Sequence, residues 1–170
     1  MKKWIIGVTS LLVLVAVGLF QFDRLGGFNE IEVESLESFE LKLQGLAYRG
    51  TPQDEKLGQT FEQVIKLAKE ESIPFYTIYV TEPAGKLDTM EVFVGVEFDR
   101  ILSEFEKKSF QSSQAVLAKI NAHRFVMPGP NKVKNKIFEF SKENNLKSPT
   151  IFIDKIVAKE EVHVIGIIEN

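Results

Sequence analysis

"KEESIPFYTIYV" (residues 69–80) and "KENNLKSPTIFI" (residues 142–153) read alike at a constant offset of 73. Lys69, Glu70, Thr77 and Ile78 recur as Lys142, Glu143, Thr150 and Ile151. Ile73, Tyr79 and Val80 are answered by Leu146, Phe152 and Ile153. Each stretch is a polar helix end followed by a β-branched and aromatic run, the composition of a strand.

Working outward, the flanks fall into the same two halves. "FELKLQGLAYR" (39–49) alternates with Phe39, Leu41 and Leu43 on one side, which predicts a strand. Thr51 then suits a helix cap, Pro52 the first helical position, and Asp54 stands three residues after the cap. Leu57, Phe61, Val64, Ile65 and Ala68 follow at helical spacing as one apolar stripe. "PFYTIYV" (74–80) and "TMEVFVGVEF" (89–98) are strands joined by a turn over 82–88. In the second half "SQAVLAKINAHRFVM" (113–127) reads as a strand. Pro130–Asn131 opens a helix with Val133, Ile137, Phe138 and Phe140 as its apolar positions, and 149–153 and 161–168 form a strand pair. "AYR" at 47–49 is matched by "AHR" at 122–124, and Gly95 by Gly166. A period near 73 is too long for a solenoid. The expected fold is therefore α+β: a tandem βαββ duplication with pseudo-twofold symmetry, its halves at about 31–99 and 109–170.

Alternation assigns the strand faces. Val92, Val94, Val96 and Phe98 suit the side under the helices, which leaves Glu91, Phe93, Gly95 and Glu97 opposite. In 74–80 Ile78 and Val80 go with the helices and Phe75, Thr77 and Tyr79 lie opposite, with Thr150, Phe152 and Asp154 as their counterparts. Both helices need one face of the antiparallel sheet, so the other face is expected to be an open groove or a dimer surface. Tyr79, Phe93 and Phe152 beside Glu91 and Glu97 would line it. Tyr48 and His123, at equivalent strand ends, would stand at its mouth, or be partly buried with a satisfied polar tip.

The first 22 residues are not part of this globule. Trp4–Phe22 is an uncharged run of nineteen residues after Lys2 and Lys3. At helical rise it spans about 28 Å, enough for a transmembrane helix. A signal peptide with Ala16 and Gly18 before the cut is the other reading, and the length of the run favours the uncleaved anchor. In both cases the lysines stay inside and the remainder lies outside the cytoplasm, single-pass or secreted. Residues 23–30 read as a linker with Gly26–Gly27, and 31–170 as the folded domain.

Composition removes several function classes. The chain has no Cys, which excludes disulfides, thiol catalysis and Cys-ligated zinc. Residues 25–170 hold 18 basic and 23 acidic residues, a poor match for a phosphate backbone, so nucleic acid is not an expected partner. There is no G-x-S-x-G elbow, P-loop or HExxH. His123 and His163 lie on different strands with no ligand spacing, so neither a metal nor a cofactor is expected.

The two βαββ halves, with "AYRGTPQDEKLGQTFEQVIKLAKEESI" (47–73) in the first, resemble the GyrI-like small-molecule-binding superfamily. That group includes effector-binding domains of AraC- and MerR-type regulators. Arg49–Gly50–Thr51–Pro52 stands for the family's first turn, and Pro128–Gly129–Pro130 is an echo of it in the second half. The likeness covers about residues 30–169. It implies a concave sheet face that takes lipophilic, often cationic ligands between aromatics, with a buried glutamate as counter-charge. The family glutamate sits in the final strand in a Glu-x-aromatic-x-Pro pattern. Glu161 with His163 fits it except that Ile165 replaces the proline. In the register that matches Gly166 to Gly95 the position is Val162, and Glu91 or Glu97 must serve.

The expected function is a membrane-tethered extracytoplasmic module that binds small lipophilic or aromatic molecules, cations included. Tyr48, Tyr79, Glu91, Phe93, Glu97, His123 and Phe152 are its candidate ligand-binding residues. An adaptor that docks a partner protein on the same surface is the alternative. Some members of the resembled superfamily hydrolyse strained lipophilic electrophiles with groove glutamates and a tyrosine, and that is the third reading. No catalytic residue is assigned. No helix-turn-helix is left over for transcriptional control.

Overall fold

The computed structural model describes residues 2–83, 85–100 and 102–169. Ala84, in the turn expected over 82–88, and Asn170, the end of the second half, lie outside them. The elements are α1 (Lys2–Arg24), β1 (Glu32–Gly50), α2 (Glu55–Glu71), β2 (Phe75–Thr81) and β3 (Met90–Val96), then β4 (Glu106–Asn121), α3 (Pro130–Glu143), β5 (Ile151–Ala158) and β6 (Glu161–Ile168). After α1, strand–helix–strand–strand occurs twice. The six strands are antiparallel in the order β1-β3-β2-β5-β6-β4, and β4 pairs back onto β1 to close the sheet into a barrel.

Closure depends on β1. Its first part, from Glu32 to Gly45, pairs with β4, and its last part, from Gln44 to Gly50, pairs with β3. The exchange falls at Gly45, directly opposite Gly95. A Cβ on Gly45 would come within 2.0 Å of the Val94 carbonyl oxygen, so only glycine permits so close a strand approach at this seam.

Three apolar clusters follow. Val92, Val94 and Val96 are fully buried against Val64 and Ala68 of α2, as their alternation predicts. Leu57, Phe61 and Leu67 complete the α2 side, with Leu67 where Ile65 was expected. Val133 and Ile137 of α3 pack on Val116, Ala118 and Val164. Between the strands, Leu41, Leu43, Tyr76, Ile78, Phe93, Ile153, Ile165 and Ile167 fill the barrel. The sheet face away from the helices is thus the inside of a closed barrel, not an open groove. Without strand closure Phe93 would be exposed; with it, Phe93 is 0% exposed.

Several local expectations change with it. Asp54, not Thr51, caps α2: its carboxylate accepts from the Lys56 N–H at 2.9 Å. The cap sits where the first unpaired helical N–H groups need an acceptor. β4 starts at Glu106 and ends at Asn121, so 122–127 is no strand. Backbone bonds from Val126 (2.9 Å) and Met127 (3.0 Å) to the His123 carbonyl make it a turn. Gly95 points into the barrel towards Phe93, whereas Gly166 faces Pro149 and Ile137 of α3, so the two are not equivalent. Residues 23–30 are tied down at both ends. Gly26, at φ 79°, turns the chain so that the His123 N–H donates to the Leu25 carbonyl at 2.8 Å. The Asn29 side-chain amide donates to the Asn121 carbonyl at 2.6 Å.

Among the described residues one helix, Ile6–Arg24, is long and apolar enough to cross a membrane. Membrane spans and signal sequences share that length and composition.

Candidate functional site

β2 and β5 pair through only three rungs, Phe75–Ile156, Tyr76–Lys155 and Thr77–Asp154. Beyond Thr77 the strands part, and the barrel wall splits into a cleft of about 980 Å³. Ile78, Tyr79 and Val80 form one side, Ile151 and Phe152 the other, and Phe110 of β4 and Val133 of α3 line it as well. Asp154 lines the cleft where the last rung ends. β-branched and aromatic residues dominate because each strand continues as a strand after losing its neighbour; their exposed side chains have only the cleft to face.

Four charged side chains line the cleft, Glu82 and Asp154 against Lys108 and Lys134. Thr77, across the last rung, and the Lys134 ammonium of α3 both favour the ionised form of Asp154. Burial outweighs both: desolvation, with Glu82 adding repulsion, pushes the Asp154 carboxyl up to about 6. Burial also raises the Tyr79 phenol, with Asp154 and Glu82 adding to the effect. Lys134 is ion-paired to Glu82, and its ammonium lies 5.1 Å from the centroid of the Phe152 ring. Phe138 of α3 packs edge-on to Phe152 at 5.6 Å, which fixes the ring's orientation. The Lys134 ammonium thus covers one face of the Phe152 ring beside a carboxyl short of solvent.

The residues expected from sequence are dispersed. Tyr79 and Phe152 come together in the cleft, but on the helix-facing side of their strands. The parity of 74–80 is inverted: Tyr76 and Ile78, not Tyr79, share the Phe93 side, since Ile78 pairs with Phe93. Phe93 is walled into the barrel beneath the Lys108 ammonium, 4.9 Å from its ring centroid. Glu97 lies beyond the end of β3 and accepts from the Tyr76 hydroxyl at 3.1 Å. Glu91 pairs with Arg49 at the far end of that strand. Tyr48 is buried against the α2 cluster and donates to the Thr51 carbonyl at 2.9 Å. His123 sits by α1, next to Glu160. Glu161 holds His163 at 2.8 Å. Among the described residues no three His, Cys, Asp or Glu side chains are grouped to hold a metal.

None of Asp154, Lys134, Glu82 and Phe138 is among the candidate ligand-binding residues expected from sequence, although alternation places Asp154 on the groove face and Phe138 is among the apolar positions of α3. Asp154 had a signal: it is a lone carboxylate inside the apolar strand "IFIDKIV" (151–157), where acidic residues are disfavoured. Lys134 and Glu82 come from separate elements, and only packing brings them together.

No protein-family profile matches the chain, and no curated protein matches it in sequence. Solved structures share its fold. A hydrolase from Listeria innocua superposes with a TM-score of 0.56 at 8% identity, over 87% of this chain and 98% of that one. An uncharacterized conserved protein from the same organism gives 0.54 at 11% identity, over 79% and 91%. The protein of the EcmrR–DNA complex gives 0.51 at 7%, over 99% and 68%. At these identities the likeness is one of fold.

Proposed function

We propose that this chain is a membrane-tethered binding module of GyrI-like type. Its ligands are small lipophilic or aromatic molecules, with a preference for cations, taken into the cleft between β2 and β5. The helix Lys2–Arg24 acts as an uncleaved anchor, with Lys2 and Lys3 inside and the barrel outside the cytoplasm. The observation that carries the reading is Asp154. It is a carboxyl raised to about 6 by burial, at the inner end of an apolar cleft that also holds Tyr79 and Phe152. A cation entering there replaces lost solvent as counter-charge, while the rings add about 0.5–2 kcal/mol each where a face is presented. Lys134 is already engaged by Glu82 and leaves Asp154 only partly compensated.

The repeated element order is read here as a duplication. At an offset of 73, Ile78 and Ile151 both face the barrel interior, and Tyr79 and Phe152 both face the helices. Equivalent residues of the two halves would then form the two walls of the site.

The test is fluorescence titration with the cationic dye rhodamine 6G and the neutral dye Nile red. Saturable rhodamine binding that weakens on Tyr79→Ala, and on Asp154→Asn more than Nile red binding does, supports the reading. Binding untouched by both substitutions removes the site.

Asp154 also favours a second reading. A carboxyl that ionises near pH 6 beside a tyrosine suits general-base activation of water, so the cleft could hydrolyse a lipophilic electrophile. Turnover of an aryl ester lost in Asp154→Asn would select this reading; turnover retained in the variant would reject it.

A further inference from the structure

The end of the membrane helix is joined to the barrel by side chains that belong to neither core. Among the described residues α1 packs against no strand or other helix, so it projects from the body at Leu25. There the Leu25 carbonyl accepts from His123, and the turn 123–127 is held beside the helix end. Phe125, at the tip of that turn, is 75% exposed, and the Arg124 guanidinium lies 4.8 Å from its ring centroid. Phe28, 59% exposed, packs edge-on to Phe22 of the last helical turn at 4.9 Å. Two exposed phenylalanines and an arginine thus surround the point where the chain leaves α1.

The distances fit a lipid interface. If the uncharged run of nineteen residues, Trp4–Phe22, fills the hydrocarbon layer, Leu25 lies just beyond its boundary. Phe125 is two residues from a direct hydrogen bond to Leu25, within about 10 Å at ordinary chain dimensions. The interfacial layer on each side is roughly 5–8 Å thick. Phe28 and Phe125 would enter that layer as exposed apolar rings, and Trp4, of a type enriched there, stands at the other end of the span. Arg124 is placed to meet lipid phosphate while its stem covers the ring. Asp23, Glu160 and Glu161 line the polar recess alongside, which confines the contact to a shallow one.

We infer that Phe28, Arg124 and Phe125 form a lipid-contacting foot that seats the barrel on the membrane surface from which α1 emerges. The inference rests on the span reading of α1. It fixes the orientation of the domain as well. β4 and β5 end at the foot, at Asn121 and Ala158, whereas the cleft lies at their opposite ends, beside Phe110 and Ile151. The cleft is held away from the bilayer and samples the aqueous phase.

Because the chain has no Cys, single labels report position directly. Full-length Phe28→Cys, Phe125→Cys, Leu14→Cys and Leu87→Cys are labelled with an NBD fluorophore and placed in phosphatidylcholine nanodiscs carrying doxyl lipids. Leu87 is in the β2–β3 turn, at the cleft end. Labels at 28 and 125 should be quenched by shallow doxyl groups, roughly twofold relative to 87, and the label at 14 by deep ones. Quenching at 14 with none at 28 or 125 beyond that at 87 overturns the foot and leaves the anchor. An unquenched label at 14 overturns the anchor and the foot together.

Discussion

Thr77 and Asp154 are the last residues paired between β2 and β5, and they face each other just where the two strands separate. Continued two residues further, the same ladder would set Tyr79 opposite Phe152. The cleft stands in place of those rungs. The pairing that stops there leaves a polar floor and two aromatic walls in an otherwise closed barrel.

The Asp154 carboxyl gives the domain a pH signature. Its value rises from 3.8 to about 6 on folding, so between these limits the folded state holds the proton more firmly. Its contribution is fully present below 3.8 and is lost as pH rises through 6. Asp154→Asn removes the cost of burying the charge. The variant should be more stable than the parent at pH 8 by on the order of 1–3 kcal/mol, and the gap should close near pH 3.5. Urea unfolding across that range checks it; a gap that does not narrow on acidification means Asp154 is not desolvated.

The same sign governs binding. A cation favours ionised Asp154, so rhodamine 6G should bind more tightly as pH rises through 6, while Nile red should change little. Parallel pH profiles for the two dyes would contradict the role given to Asp154.

Lys134 competes with such a ligand for the Phe152 face and for both carboxylates. Lys134→Ala should therefore tighten the cationic dye by roughly three- to tenfold, without tightening the neutral one. Weaker binding of the cation in this variant would show that the lysine builds the cleft rather than occupying it.

Phe93 is a stability residue. Its ring is enclosed by the barrel, so Phe93→Ala should cost about 3–5 kcal/mol. Ile137→Ala, also fully buried, should cost about 2–5 kcal/mol, and Phe61→Ala less than its size implies because the ring is only partly buried. Denaturant midpoints decide the order.

Gly45→Ala tests the seam. The added Cβ meets the Val94 carbonyl, which belongs to backbone and cannot swing aside. A loss of about 1–3 kcal/mol is expected, with proteolysis at the β1–β3 edge rising in parallel. An unchanged midpoint would mean that β1 and β3 can separate without cost.

The sequence by itself determined the order of elements, most of the α2 and α3 stripes (Ile65 and Phe138 excepted), the strand Met90–Val96 with its valines under a helix, and the apolar first helix. These are local periodicities, and burial of one face fixes them wherever the element is packed. It also brought forward Tyr79 and Phe152. Only the tertiary structure decided which side of β2 those residues occupy, because alternation gives two faces and does not say which is inside. Strand closure turned the uncovered face into a filled interior and moved Phe93 out of the candidate site. The pairing of Lys134 with Glu82, and the proton affinity of Asp154, arise from groups far apart in sequence whose energies depend on distance and lost solvent. Neither quantity exists until the barrel has formed around its broken rung.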